Sequence, residues 1–291
     1  MKILISPNVS KELIFDNMPL ICQELKALNA EIYMSAKFKD FFSDINIIFD
    51  SDIDYLYNIC DVVIALGGDA TIIRTAKKAA LFKKPVLGIN VGRLGFMAGL
   101  EINEIHMLSC LFDKNYEIEE RMMLSVKINN KDKTYYALND AVVSKGSLSR
   151  IIDINVKCGG NAIYDYRADG IMVATPTGST AYNLSAGGPV IDPKLKCMIM
   201  TPICPHSLLS RSILFHPKDQ LILSAKKPLN TDIFLTIDGE MGIKLNEDDQ
   251  IYINESDINA SFIRIKNKAF YDVLNEKLMN RGLYYENSQT K

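Results

Sequence analysis

Residues 62–66, Val-Val-Ile-Ala-Leu, form an unbroken apolar run rich in β-branched side chains, and Gly67 and Gly68 follow at once. A run without polar alternation suits a parallel strand covered on both faces. Residues 72–82, IIRTAKKAALF, read as a helix, and residues 85–89 as another strand. Strand, helix and strand at this spacing make a βαβ unit, which commits this part of the chain to a parallel sheet flanked by helices. The same alternation runs upstream. Ile3–Ser6 is a short strand, and Ser10 is the expected helix N-cap. Ile14, Met18, Ile21, Leu25 and Leu28 then share one helical face, and Glu31–Met34 is a second strand. Residues 36–57, rich in Asp and Phe, carry no periodicity that assigns them.

From about residue 120 the pattern changes to period two. Ile152, Ile154, Val156 and Cys158 alternate with Asp153, Asn155 and Lys157, as in a half-exposed strand. Further strands are expected at 123–128, 135–143, 163–166, 171–174, 221–225, 233–238 and 250–253. Helical spacing returns only at 270–279, a segment expected to pack back on the first part. The fold class is therefore an α/β domain followed by an all-β, antiparallel domain. The expected boundaries are 1–118 plus 266–291 for the first and 119–265 for the second.

A length of 291 residues accommodates two such domains, and 48% apolar residues excludes a disordered chain. With 33 basic and 35 acidic residues the net charge is −2, which offers no footprint for nucleic acid. No apolar stretch approaches the ~20 residues of a membrane helix, so a cytoplasmic protein is expected. The six cysteines have no C-x-x-C pair and the three histidines no ligand spacing, so no metal-ligating residues are assigned. Buried reduced thiols are the expectation.

Chemistry concentrates in two segments. Leu66-Gly67-Gly68-Asp69-Ala70-Thr71 lies between a strand and a helix. Its glycines permit a sharp turn, and the helix start beyond them offers free N–H groups and a positive dipole end to an anion. Arg74 is placed to reach the same phosphate. Asp69 beside a phosphate points to a role with Mg²⁺ or a hydroxyl proton; the plain alternative is that Asp69 or Thr71 caps the helix. No two glycines are spaced G-x-G, and no G-x-x-x-x-G-K-[ST] or G-x-S-x-G occurs. A dinucleotide fingerprint, a P-loop and a hydrolase elbow are thus excluded. The second segment joins Arg167-Ala168-Asp169-Gly170 to residues 175–189, TPTGSTAYNLSAGGP. Its density of hydroxyls and glycines suits a tight loop that binds sugar hydroxyls, an amide or phosphate, whereas a plain β-turn explains only Pro176 and Gly178.

In order, GGDAT, GINVGRLGFMAGL (88–100), ALND (137–140), RADG, TPTGSTAYNLSAGGP, TPICPHSL (201–208) and IDGE (237–240) resemble the NAD kinase family over nearly the full chain. The resemblance implies a Rossmann-like N-terminal domain and a β-sandwich-like C-terminal domain, as in the diacylglycerol kinase-like superfamily. It implies transfer of the γ-phosphate of ATP, or of a phosphate from polyphosphate, to the adenosine ribose 2′-hydroxyl of NAD. Carried over by position, Asp69 corresponds to the base, and Gly68, Ala70 and Arg74 to the phosphate turn. Asn139 and Asp140 correspond to the pair that binds NAD hydroxyls. Asp169, Thr180, Ala181, Tyr182 and Ser185 correspond to the NAD pocket, which Arg167 reaches from its own or a neighbouring subunit. Mg²⁺ or another divalent cation is implied with the donor, and a homo-oligomer, dimer or tetramer, as the assembly. The family's usual GGDGT is here GGDAT, and Ala70 is harmless if it is already helical. The rival readings are a lipid or sugar kinase of the same superfamily and a non-catalytic NAD-binding regulator.

Overall fold

A computed structural model describes residues 1–277 apart from 93–94, 147–149, 208–209, 227–230, 241 and 267–268. The chain divides into two compact units. One comprises residues 1–120 with the segment from Ala260 onward, and the other Arg121–Asn259.

The first unit is built on β1 (Lys2–Pro7), α1 (Leu13–Ala27), β2 (Glu31–Ser35), β3 (Ile48–Asp50), α2 (Ile53–Ile59), β4 (Val62–Gly67), α3 (Asp69–Leu81) and β5 (Val86–Asn90). The five strands are parallel in the order β3-β2-β1-β4-β5. Every residue of β4 and of β5 is buried, as expected for strands covered on both faces. Helix α1 turns Ile14, Met18, Ile21 and Leu25 into the core, and α3 turns in Ile72, Ile73, Ala76, Ala79 and Ala80. Each fully buried Ile or Leu contributes roughly 1.5–3 kcal/mol.

Three sequence expectations change here. Helix α1 starts at Leu13, not after Ser10, whose N–H and hydroxyl both donate to Asn8 Oδ1 at 3.2 and 2.8 Å. Residues 36–57 contain a 3₁₀ turn (Ala36–Phe41), the three-residue β3 and the start of the seven-residue α2, all too short to show a period. Helix α2 begins because Asp52 accepts the N–H groups of Asp54 and Tyr55 at 3.0 and 2.9 Å. Strand Ala260–Arg264, counted with the β-rich part by sequence, instead pairs in parallel with β5. The return to the first unit therefore comes at residue 260, not 266. Residues 270–277 are helical; positions 278 and 279 of the expected segment lie outside the described residues.

The second unit is two six-stranded sheets, antiparallel throughout, with one apolar core between their inner faces. Val126, Ile154, Leu223 and Ile253 come from one sheet and Val143, Val173, Met200 and Leu235 from the other, all buried. The expected single strand 135–143 is two strands, Thr134–Ala137 and Asp140–Lys145, broken at Leu138 and Asn139. Of the six thiols only Cys22 and Cys60 are buried, and burial pushes both up to about 11; Cys204 is exposed. The expectation of uniformly buried thiols is corrected to that extent.

Candidate functional site

In the first unit the chain leaves β4 at Gly67, passes Gly68 in an extended conformation and enters α3 at Asp69. A Cβ on Gly67 would meet Thr71 Oγ1 at 2.8 Å, so the turn requires glycine there. Gly68 is the N-cap, and among the described residues neither Asp69 nor Thr71 bonds a backbone N–H of the helix start. The plain capping reading of Asp69 and Thr71 is thereby removed. Asp69 turns instead to a later loop. Its Oδ2 accepts the Phe96 N–H at 3.0 Å and its Oδ1 the Met97 N–H at 3.1 Å. Lys277 Nζ stands 3.4 Å from Oδ2 and 3.9 Å from the centre of the Phe96 ring. Arg264 fastens the same loop through the carbonyls of Met97 and Ala98 at 3.2 and 2.9 Å, and pairs with Glu119 at 2.5 Å. A Cβ on Gly95 would collide with the Asp69 carboxylate, so this loop is shaped around it.

Ala70 is the exposed second residue of α3 and has no positive φ, so an L-residue fits without strain. Ala70→Gly is expected to cost about 1 kcal/mol through helix propensity and to leave turnover within about threefold. Thermal unfolding with initial rates checks this, and a hundredfold gain would contradict it. Arg74 is exposed one turn on, and forms no hydrogen bond or ion pair among the described residues. Its charge acts on the Tyr57 hydroxyl, which burial raises and Arg74 lowers. The structure therefore joins Gly68, Asp69 and Ala70 but does not draw Arg74 onto them.

In the second unit the break at Leu138–Asn139 is the organising feature. Asp238, at φ 50° after strand Ile233–Ile237, accepts three consecutive N–H groups: Leu138 at 3.0 Å, Asn139 at 2.7 Å and Asp140 at 3.0 Å. Thr175 holds the other side, its hydroxyl donating to the Leu138 carbonyl at 2.6 Å and its N–H to the Asn139 carbonyl at 2.8 Å. Thr175 Oγ1 also accepts the Gly178 N–H at 3.1 Å, so residues 138–140 and 175–178 form one unit. A Cβ on Gly178 would stand 2.6 Å from the Asn139 carbonyl carbon. Gly178→Ala is expected to destabilise the protein by about 1–3 kcal/mol and to displace Asn139. A melting temperature unchanged from the parent would contradict it.

The remaining hydroxyls of the loop divide by direction. Ser179 Oγ donates to the Ile191 carbonyl at 3.1 Å and accepts its N–H at 3.0 Å. Asn183, fully buried, bonds the carbonyls of Ser179 and Pro189 and accepts from Thr201. These groups hold the loop. Thr180, Ala181, Tyr182 and Ser185 are partly or wholly exposed, the Thr180 hydroxyl donating to the Thr177 carbonyl at 3.4 Å. Burial, and after it the charges of Cys204, Asp140 and Asp169, push the Tyr182 phenol up. It thus stays protonated at neutral pH. Asp169 pairs with Lys145 at 2.8 Å. Asn139 and Asp140 are thus held side by side by Asp238, and the charges of Asp140 and Asp169 both act on Tyr182. The structure does not bring in Arg167, whose exposed guanidinium faces Asp153 across the strand pair at 3.8 Å.

Residues 18–112 match the ATP-NAD kinase N-terminal domain family and residues 138–265 the ATP-NAD kinase C-terminal domain family. The NAD kinase of Natranaerobius thermophilus is 36% identical over 276 residues, 94% of this chain and 96% of the relative. The chain belongs to the NAD kinase family. The NAD kinase of Thermoanaerobacter sp. strain X514 is 43% identical over 230 residues, 78% of this chain and 81% of the relative. Among solved structures, the NAD kinase from Archaeoglobus fulgidus in complex with ATP aligns at a TM-score of 0.75 and 25% identity, covering 96% of this chain and 99% of that one. Yeast NADH kinase complexed with NADH shares the fold, at a TM-score of 0.84 and 22% identity, with 96% and 87% covered. Membership of the NAD kinase family places the chain among the phosphotransferases.

Sequence reasoning passed over four side chains at these two clusters. Asp238 lay in the quoted IDGE, and its signal was an acid in a turn between strands. Thr175 was noted only as part of a hydroxyl-rich run. Lys145 and Lys277 carry no local signal, since only the fold brings them to Asp169 and Asp69.

Proposed function

We propose that the chain transfers the γ-phosphate of ATP to the adenosine ribose 2′-hydroxyl of NAD, yielding NADP and ADP. The observation that carries the reading is Asp69, a carboxylate at the mouth of a glycine turn and turned away from capping its own helix. Phosphoryl transfer has a loose transition state, so alignment and charge neutralisation supply most of the rate. Gly68 and the first N–H groups of α3 hold a donor phosphate, and Arg74, free of partners among the described residues, extends to it. Asp69 accepts the proton of the 2′-hydroxyl as its oxygen bonds to phosphorus and the bond to the ADP oxygen breaks. The Phe96 and Met97 N–H groups keep the carboxylate in one orientation while this happens. In the second unit Asn139 and Asp140 bind NAD hydroxyls, and Asp169, Thr180, Ala181, Tyr182 and Ser185 line the pocket. Arg167 contributes from a neighbouring subunit, in keeping with its outward position.

Among the described residues no three His, Cys, Asp or Glu side chains come together as a metal cage, and Asp69 is already bonded to two N–H groups. With Asp69 so engaged, a divalent cation such as Mg²⁺ would be held chiefly by the donor's phosphates and would supply charge neutralisation there. Polyphosphate presents the same phosphate oxygens as an alternative donor. A homo-oligomer, dimer or tetramer, rests on the family resemblance, whereas a cytoplasmic protein with no nucleic acid or membrane partner rests on the net charge of −2 and the short apolar stretches. Among the described residues no helix is long and apolar enough to cross a membrane.

The non-catalytic reading is motivated by Ala70 in place of the usual glycine, and the ordinary helical position of that residue supports the catalytic reading instead. Phosphorus NMR of the product tests the site of transfer. A new phosphomonoester on the adenosine 2′-oxygen is expected, and phosphate on any other hydroxyl would overturn the assignment.

A further inference from the structure

We propose that Lys11 binds the terminal phosphates of the nucleotide donor. The inference rests on the kinase reading above and adds a residue to its donor site.

In the strand order β3-β2-β1-β4-β5 the chain runs outward in opposite directions from β1 and β4. The loops that leave the carboxyl ends of these two strands therefore part company, and in open α/β sheets that crevice is where ligands bind. One of those loops is the glycine turn. The other holds Lys11. The Asn8 N–H donates to the Leu66 carbonyl at 2.9 Å and ties the second loop to the end of β4. Asn8 also accepts from Ser10 through its side chain, and from the Lys11 N–H through its carbonyl at 3.2 Å. The backbone that carries Lys11 is thus fixed.

The side chain reaches across to the end of β5, where Nζ donates to the Val91 carbonyl at 2.5 Å. A Cβ on Gly68 would lie 3.3 Å from this ammonium, and so would one on Gly92. Lys11 Nζ therefore lies against the backbone of both glycines, beside the first turn of α3. No carboxylate among the described residues pairs with it. An ammonium has three protons to donate, and Val91 takes one. A fixed positive charge beside the positive end of a helix raises the local potential unless an anion joins it. A phosphate chain meets that demand and accepts the remaining protons. As the bond to the ADP oxygen breaks, negative charge grows on the leaving phosphate; Lys11 stabilises that charge and keeps its own proton.

The probes are Mg–ATP by calorimetric titration without NAD, and steady-state rates with both substrates. Lys11→Met is expected to raise the dissociation constant and KM for ATP at least about tenfold, the scale of one charge-assisted hydrogen bond. KM for NAD stays within about twofold, and Lys11→Arg keeps ATP affinity within about threefold. An ATP affinity unchanged in Lys11→Met would overturn the proposal. So would an equal loss for ATP and NAD, which marks a structural role. Asp69→Asn serves as the control, with turnover lost and ATP binding retained. If the parent protein binds ATP but forms no NADP, the kinase reading fails, and the titration still decides the role of Lys11.

Discussion

Asp69→Asn is expected to lower the rate of NADP formation by about 10²–10⁴ while KM for NAD changes only a few-fold. Asparagine has the same size and keeps one acceptor oxygen, but it has no useful basicity towards a hydroxyl proton. It also turns an NH₂ group towards either the Phe96 or the Met97 N–H, which the carboxylate now satisfies with one oxygen each. One of those N–H groups loses its partner, at a local cost of about 1 kcal/mol. Because Lys277 stands beside the same carboxylate and on the Phe96 ring, the variant also frees that ammonium. Initial rates together with NAD titration separate the two effects. A variant within tenfold of the parent would show that another group takes the proton.

Asp238→Ala is expected to have the second largest effect, through position and not contact. Three consecutive N–H groups lose one carboxylate at once. Hydrogen bonds to a charged acceptor are worth about 1.5–3 kcal/mol each when buried. Asp238 is only partly buried, so water replaces part of that loss. A destabilisation of about 2–4 kcal/mol is expected, with KM for NAD raised at least about tenfold as Asn139 and Asp140 lose their support. Asp238→Asn keeps the oxygen that serves Asn139 and Asp140 and is expected to lose less than half as much. Thermal unfolding and KM measured on both variants check this. Equal effects of Ala and Asn would show that the charge alone matters, and no effect on KM would detach residues 138–140 from NAD.

The α/β half was legible because its strands are continuous apolar runs and its helices long enough to repeat. Val62–Gly67 and α3 follow directly from residues 62–82. What escaped was short or held by distant partners. Strand β3 has three residues, and Ala260–Arg264 joins the first sheet through a partner more than 170 positions away. The merged strand 135–143 is the most instructive difference. Its hydrophobic texture asks for one strand, and Asp238 breaks it by taking three successive N–H groups out of the ladder. Local pattern and observed structure part at the residues proposed to bind NAD, as expected where function imposes its own geometry. At the glycine turn the motif named Gly68, Asp69 and Ala70, yet Asp69's partners Phe96, Met97 and Lys277 are invisible in it. Arg167 shows the opposite limit. A motif supplied the residue, and the fold leaves it on an exposed strand opposite Asp153.

Purified protein mixed with NAD, ATP and Mg²⁺, with NADP followed by an NADP-specific dehydrogenase, tests the central claim most directly. NADP is expected to accumulate in proportion to protein, with one ADP formed for each, and to disappear when Asp69→Asn replaces the parent. NAD bound without any NADP above the protein-free control, with ATP or polyphosphate as donor, would contradict it.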